Sequence, residues 1–92
     1  MALISINYSL YNKPLKNHQL LGDAIKSASN GCYLHCLESF WLISCETPVT
    51  EIFKQLSRFM KKDDSLVVMK VTSNYKCFLP QKSIDWIQSV SD

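Results

Sequence analysis

Apolar and polar side chains alternate along residues 3–10. A period of two is typical of a β-strand with one buried face, so we predict a first strand here. The side chains on its apolar face are Ile4, Ile6, Tyr8 and Leu10. Pro14 follows soon afterwards and cannot donate a hydrogen bond to a strand ladder, so the strand is predicted to end before it.

Two later segments have the period of an amphipathic helix. Residues 17–29 carry apolar side chains at helical spacing, and Asn30-Gly31 then supplies the left-handed conformation at which helices often end. A second helix is predicted over residues 48–61, with Thr47 as its N-cap and Pro48 at its first helical position. Its apolar face holds Val49, Ile52, Phe53, Leu56, Phe59 and Met60.

Three more segments are rich in β-branched and aromatic residues, which favour strands. Residues 32–37 and 40–45 flank Glu38-Ser39 and predict a hairpin with a short turn. Ser65–Thr72 predicts a fourth strand. Near the end of the chain, a short closing helix is favoured by the spacing of Ile84, Trp86, Ile87 and Val90.

The predicted order is strand, helix, strand, strand, helix, strand, followed by a C-terminal tail. Right-handed crossovers then place both helices on one face of a four-stranded antiparallel sheet, which is the ferredoxin-like βαββαβ arrangement of the α+β class. At 92 residues, the chain is short enough to form a single domain over residues 1–92. The other face of the sheet needs cover from the tail or from a partner, because it carries Leu3, Val67, Met69 and Val71.

Composition narrows the class of protein. A hydrophobic share of 47% and a charged share of 20% indicate a folded chain rather than a disordered one. No apolar run approaches the roughly 20 residues of a membrane span, and the start lacks the basic region of a secretory signal. We therefore expect a cytoplasmic protein with no membrane partner and no cofactor. The thiols of Cys32, Cys36, Cys45 and Cys77 are expected to be reduced and buried.

A series of short features along the chain matches a known pattern in order and in approximate spacing. The features are Tyr8-Ser9-Leu10, Pro14, His35, Ser39-Phe40-Trp41, Asp64, Leu66 and Trp86. Together they resemble the CRISPR-associated protein 2 superfamily, especially its short, free-standing, SinR-like members, and the resemblance covers about residues 3–88. It implies a homodimer with a ferredoxin-like fold. That superfamily includes ribonuclease toxins such as virulence-associated protein D.

One departure from the pattern concerns Ser9, which stands where the family has an aspartate proposed to bind a catalytic divalent metal. A neutral hydroxyl replaces a carboxylate poorly at a hard-cation site, so we predict no metal. The expected function is thus a homodimeric binding or regulatory module with a degenerate metal-nuclease site, and RNA or DNA is its candidate partner.

Two alternatives stay open, and with them the question of whether the protein is an enzyme. The first is a ribonuclease-toxin-like enzyme in which Ser9 and His35 are the candidate catalytic residues, since Ser9, His35 and Glu38 could meet at adjacent strand ends. The second is a small phage or mobile-element inhibitor that acts by contact with another protein.

Three groups of chemically active side chains also have ordinary structural explanations. Cys32 and Cys36 would lie about 13 Å apart on a strand, with His35 on the opposite face, which is too far for zinc. His35 is a candidate general base, but a packed histidine bonded to a backbone carbonyl is favoured. Asp63-Asp64 could bind a metal, but acids at the junction of a helix and a strand more often serve a turn.

Two groups of surface residues are candidates for contacts with partners. Basic residues of the second helix and the first loop could follow the phosphates of RNA or DNA, although such residues more often form a solvated face. They are Lys13, Lys16, Lys54, Arg58, Lys61 and Lys62. The candidate dimer interface comprises Val67, Met69, Val71, Tyr75 and Phe78, and the segment from Tyr75 to Leu79 could add a strand to a partner's sheet. Trp41 and Trp86 are expected in the core or in that interface.

Overall fold

Strand β1 (Ala2–Ser9) is an inner strand of a four-stranded antiparallel sheet in the computed structural model, which describes residues 2–90. The other strands are β2 (Tyr33–Leu37), β3 (Phe40–Cys45) and β4 (Ser65–Val71), and the helices are α1 (Leu15–Ala28), α2 (Val49–Ser57) and α3 (Gln81–Val90). The strands lie in the order β2-β3-β1-β4. The predicted α+β class and antiparallel sheet are confirmed, and the element order is consistent with a ferredoxin-like fold. In the described part of the chain, none of the helices has the length and apolar character that crossing a membrane requires.

The main core lies between the sheet and helices α1 and α2. The alternation of β1 turns Ile4, Ile6 and Tyr8 towards these helices, as the sequence predicts. The fully buried side chains that the two helices contribute are Leu21, Ile25, Ile52 and Leu56. Burying one such side chain contributes about 1.5–3 kcal/mol, so this face supplies a large part of the stability of a small domain.

Helix α3 covers one end of the opposite face of the sheet. Ile87 of this helix is 3% exposed and packs with Leu3 of β1 and Leu42 of β3. Val71 of β4 and Trp86 of α3 pack against the same cluster. The tail is therefore a helix that covers part of this face from within the chain.

The rest of this face, on β4, is largely open to solvent. Val67 and Met69 are 49% and 54% exposed. The segment between β4 and α3 forms no strand among residues 72–80, and it leaves Tyr75 and the whole side chain of Phe78 exposed. Of the five residues predicted at a dimer interface, four thus lie at the surface, whereas Val71 packs within the chain.

The boundaries of α2 differ from the prediction. Thr47 is not the N-cap, because Pro48 occupies that position in an extended conformation, at φ −62° and ψ 150°, and no side chain caps the helix. The proline ring already fixes φ near this value, so Pro48 precedes the first helical residue instead of being that residue. The helix ends at Ser57, well before residue 61, because the N–H groups of Phe59 and Met60 bond to carbonyls three residues back in a tighter turn.

The predicted end of α1 and the predicted hairpin are both confirmed. Asn30 and Gly31 have φ values of 54° and 90°, in the left-handed region that ends helices. Strands β2 and β3 flank Glu38-Ser39 and pair antiparallel, with an irregular register between His35 and Leu37.

The prediction that all four cysteines are buried is wrong in part. Cys45 is buried, Cys32 and Cys36 are half-buried, and Cys77 is exposed. Cys77 lies in the irregular segment between β4 and α3, where no neighbouring layer covers it. All four side chains are free thiols.

We predict that Ile87→Ala lowers the free energy of unfolding by about 2–5 kcal/mol, because it leaves a cavity between α3 and the sheet. Gln88→Ala is the matched control, since Gln88 is the next residue of the same helix and is exposed, and it is expected to change stability by less than about 0.5 kcal/mol. Urea unfolding followed by circular dichroism measures both. Equal, small losses in the two variants would show that α3 does not dock on the sheet in solution.

Candidate functional site

A cleft of about 560 Å³ lies between helix α1 and the β2–β3 hairpin. Gly22 of α1 and Trp41 of β3 form its buried side, and Trp41 is only 3% exposed. A Cβ at Gly22 would lie 3.4 Å from Cζ2 of the indole, at the lower limit of ordinary van der Waals contact, so the helix backbone lies close to this ring. Polar residues that line the cleft are Tyr8, Lys13, His18, Gln19, Asp23, Lys26, His35 and Glu38.

Aromatic rings form one wall of the cleft. Strand pairing sets His35 opposite Trp41, so both side chains project from the same sheet face towards α1. The two rings are stacked, with centroids 3.9 Å apart and planes 10° apart. The ring centroid of Tyr33 on β2 lies 5.7 Å from that of Trp41. Nζ of Lys26 lies 5.6 Å from the centroid of the Tyr33 ring. Trp41 therefore has ring neighbours in both Tyr33 and His35.

The orientation of the His35 ring is fixed by the hairpin turn. Nε2 lies 3.0 Å from the carbonyl oxygen of Glu38, which also accepts a bond from the Tyr8 hydroxyl at 3.4 Å. A carbonyl only accepts, so Nε2 carries the hydrogen, and Nδ1 of the neutral ring is an acceptor. The predicted bond from a packed histidine to a backbone carbonyl is confirmed. His35 is nonetheless an exposed residue, and Trp41 lies against one face of its ring.

The indole N–H of Trp41 is the one buried side-chain nitrogen or oxygen without a hydrogen-bond partner in the described part of the chain. Leaving such a donor unpaired costs about 1–3 kcal/mol. The apolar area that the ring buries, and its stacking with His35, oppose that cost. The ring of Trp41 therefore contributes to packing, whereas its N–H group contributes no hydrogen bond.

The charges around the cleft nearly cancel. Lys13 and Lys26 supply two positive charges, and Asp23 and Glu38 supply two negative charges. With both histidines neutral, the formal charge of the lining is zero. Such a lining suits an uncharged, flat group better than a polyanion.

Ser9 does not join His35 and Glu38. It pairs with Ser65 of β4 and lies on the same sheet face as Ser5 and Asn7, away from the cleft. Tyr8 takes the predicted place of Ser9 beside His35, because successive residues of a strand point to opposite faces.

Residues 2–90 contain no group of three His, Cys, Asp or Glu side chains that could hold a metal ion. The polar residues beside Ser9 bond to one another instead. Asn7 Nδ2 donates to Ser5 Oγ at 3.4 Å, and Ser5 Oγ donates to the carbonyl of Met69 at 3.4 Å. These neutral groups are poor ligands for a small hard cation.

Asp64 ties two loops together at the end of the sheet. Its Oδ1 accepts the N–H of Tyr11 at 2.8 Å, and its Oδ2 accepts the N–H of Lys61 at 2.8 Å. Nζ of Lys13 adds an ion pair at 3.4 Å. These donors cover the carboxylate completely, although the loop itself lies at the protein surface. The predicted turn role of Asp63-Asp64 therefore belongs to Asp64, which is not a freely solvated acid.

The surroundings of Asp64 favour its charged form. The N–H donors of Lys61 and Tyr11, and then the charge of Lys13, lower the pKa of this carboxyl below its ordinary value of 3.8. A depressed pKa in the folded state means that the carboxylate stabilises the fold above pH 3.8, and that this contribution disappears as the pH falls through the lowered pKa.

The Asp64 contacts bring together the two ends of the predicted basic group. Lys13 and the backbone of Lys61 meet on one carboxylate, although they are far apart in the sequence. Lys16 lies in the first turn of α1, three residues after Lys13, which precedes the helix. Lys62 is exposed beside Lys61. Lys54 and Arg58 lie one turn apart at the end of α2. We call these six residues the basic surface, and Lys13 connects it to the cleft.

Cys36 is an unreactive thiol at neutral pH. Burial first, and then charge repulsion from the nearby Cys77, raise its pKa to about 11. The thiolate is the nucleophilic and metal-binding form, and it is almost absent at this pKa. Cys36 is therefore not a candidate for catalysis.

The cleft residues that lie on α1 escaped the sequence analysis. His18 and Lys26 lie four residues before and after Gly22, so all three share one side of α1. A glycine inside a helix, flanked at this spacing by polar residues, is the signal that could have indicated a close approach and a lined cleft.

A scan of protein-family models gives no match for the chain, and no curated protein matches it.

We predict that Asp64→Asn lowers the melting temperature at pH 7, because the charge that holds Lys13 and strengthens both N–H bonds is lost. The difference from the parent protein should shrink as the pH falls below 3.8 and through the lowered pKa, because the parent carboxylate then takes up its proton. Asp63→Asn is the matched control, since it removes the same charge from the exposed neighbouring residue. Thermal unfolding at several pH values measures this, and equal melting temperatures for the two variants at pH 7 would contradict it.

Proposed function

We propose that the protein binds nucleic acid through the basic surface and acts as a binding or regulatory module. The observation that carries this proposal is the Asp64 carboxylate, which holds the Lys13 loop against the Lys61 loop. That contact brings Lys13, at the mouth of the cleft, close to the loop after α2, which carries Lys61 and Lys62.

Phosphate contacts would supply the affinity. The whole chain has a formal charge of only +2, so attraction to a polyanion depends on the concentration of positive charge on one side of the molecule. Lysine and arginine side chains that neutralise phosphates release bound counterions, which makes such binding strongly dependent on salt. Lys13 is partly neutralised by Asp64, so the exposed members of the surface carry most of this contribution.

We predict that Lys54→Glu combined with Arg58→Glu weakens binding to a fluorescent single-stranded RNA, measured by anisotropy. Losing two phosphate contacts should also reduce the slope of log K against log salt by about 1.4. Lys76→Glu combined with Lys82→Glu is the matched control, since it makes the same charge change at exposed positions outside the basic surface. Equal weakening by the two double variants would contradict the proposal, and so would a parent protein that binds neither RNA nor DNA.

We also propose that the fold is the ferredoxin-like one and that the chain is a relative of the CRISPR-associated protein 2 superfamily. The strand order β2-β3-β1-β4 supports this, because each strand–helix–strand unit passes over one intervening strand. The main core packs α1 and α2 on the same face of the sheet. Ser9, at the end of β1, argues for binding without metal-dependent cleavage. A cytoplasmic location is part of the same proposal.

A homodimer is the further part of this proposal. Strand β4 is at an edge of the sheet, with Val67 and Met69 half-exposed beside that edge. An edge strand of this kind can pair antiparallel with its own copy about a two-fold axis, which would bring the same side chains together from both chains. We therefore propose a second copy of this chain as the partner that covers this face.

We predict a molar mass near twice the chain mass of 10.6 kDa in light scattering at micromolar concentration with reductant present. Met69→Lys is expected to shift the protein to the monomer, because it places a charge in the contact. Leu37→Lys is the matched control, since Leu37 is a similarly exposed apolar residue on the opposite edge strand. A monomeric parent protein would exclude the dimer, and dissociation by Leu37→Lys alone would exclude the β4 contact.

A ribonuclease is the second candidate, and a specific observation favours it. His18 and His35 line the same cleft, and Nδ1 of His35 is an acceptor available to take a proton. Cleavage of labelled RNA in the presence of EDTA, lost in His35→Ala, would support this candidate. RNA that stays intact with and without Mg²⁺ would exclude a ribonuclease and leave the binding module as the proposed function.

A further inference from the structure

We propose that the cleft binds one unpaired nucleotide, whose base stacks on the face of the His35 ring opposite Trp41. The proposal rests on the proposed function, and it adds the kind of nucleic acid that the protein would select. Two kinds of ligand offer a flat base joined to a phosphate. One is a free nucleoside monophosphate, and the other is one nucleotide of a single strand.

The His35 ring is a prepared stacking platform. Trp41 supports one face of the imidazole at a centroid distance of 3.9 Å, and the Glu38 carbonyl fixes the ring plane through Nε2. The residue is still exposed, so the second face is available to a ligand. A base that stacks there extends an existing pair of rings, and little side-chain freedom is lost because the platform is already held.

The charges indicate how the ligand would divide between the cleft and its surroundings. Inside the cleft, Lys13 and Lys26 are balanced by Asp23 and Glu38, which suits an uncharged base. Outside it, the exposed members of the basic surface offer positive charge to phosphates. A volume of about 560 Å³ is within the range of small-ligand sites.

A paired base cannot use this platform, because both of its faces are covered by its neighbours in a duplex. Stacking on aromatic side chains is the usual way in which proteins hold splayed single-stranded bases, and it is worth about 1–3 kcal/mol per base. The cleft would therefore add affinity for single strands, whereas the basic surface alone would bind single strands and duplexes alike.

The test compares His35→Ala with His35→Phe on a single-stranded RNA and on a duplex of the same sequence. His35→Ala should weaken single-strand binding by about tenfold and leave duplex binding unchanged. The salt slope should not change, because no phosphate contact is removed. His35→Phe should restore most of the single-strand affinity, because a phenyl ring also stacks on a base, although it makes no bond to Glu38. A merely structural role for His35 would weaken both nucleic acids together and would not be rescued by phenylalanine.

A second readout follows the cleft directly. In a Trp86→Phe background, Trp41 is the remaining tryptophan, and base stacking on His35 should change its fluorescence. Adenosine and uridine monophosphates are titrated beside the single-stranded RNA, with ribose 5-phosphate as the control that lacks a base. A response to the RNA alone identifies a residue within a strand as the ligand, and a response to the monophosphates as well shows that one nucleotide is enough.

The outcomes separate the two proposals. A parent protein that binds no nucleic acid contradicts the proposed function and this inference together. Binding that His35→Ala reduces equally for single strand and duplex, or does not reduce, overturns the stacking site and leaves the basic surface intact. An equal fluorescence response to ribose 5-phosphate also overturns it, because the base would then play no part.

Discussion

Strand β1 has to satisfy two neighbouring strands and two sheet faces at once, and the other elements are arranged around that constraint. It pairs with β3 on one side and β4 on the other. Ile4 and Ile6 enter the main core, whereas Leu3 enters the smaller core beneath α3. A shift of one residue would exchange these faces and expose both isoleucines, so the apolar pattern fixes the register. The same register turns Tyr8 towards the cleft and Ser9 away from it.

The two parts of the proposed site are held by different kinds of interaction. The cleft wall is a packed arrangement, in which Trp41 stands behind His35 and the hairpin turn fixes the imidazole. The basic surface depends on a charged side chain, because the Asp64 carboxylate accepts hydrogen bonds from both the Lys13 loop and the Lys61 loop. Burial of apolar surface changes little with salt, whereas the contacts of Asp64 depend on an ionised carboxylate. The basic surface therefore loses this support as Asp64 takes up its proton in acid.

Sequence reasoning succeeded where the deciding interaction is local. The period of β1 and the Asn30-Gly31 end of α1 depend on neighbouring residues, and both were predicted correctly. The prediction of Thr47 as the N-cap of α2 was wrong. Thr47 and Pro48 are adjacent candidates for this position, and only the backbone angles of Pro48 distinguish them. The extent of cover by α3 also could not be predicted, because it depends on where a helix docks after an irregular segment.

The site itself depends on contacts between distant parts of the chain, which a single sequence does not reveal. Lys13 and Asp64 are 51 residues apart, and nothing in their local sequences pairs them. The roles of His18 and Lys26 appear only when α1 is packed against the hairpin. His35 was singled out because of its chemistry, and its bond to a carbonyl was predicted, but its stacking on Trp41 follows from a strand register that was not known in advance.

The positions of the cysteines determine which disulfide forms when the protein is oxidised by air. Cys77 is exposed, whereas its neighbour Cys36 has a pKa of about 11 and so presents almost no thiolate at neutral pH. Thiol exchange requires a thiolate as the attacking group, so closure of a disulfide within one chain by attack from Cys36 is slow. Oxidation instead favours a bond between Cys77 residues of two molecules. Such a covalent pair would have the mass of a dimer without any contact through β4.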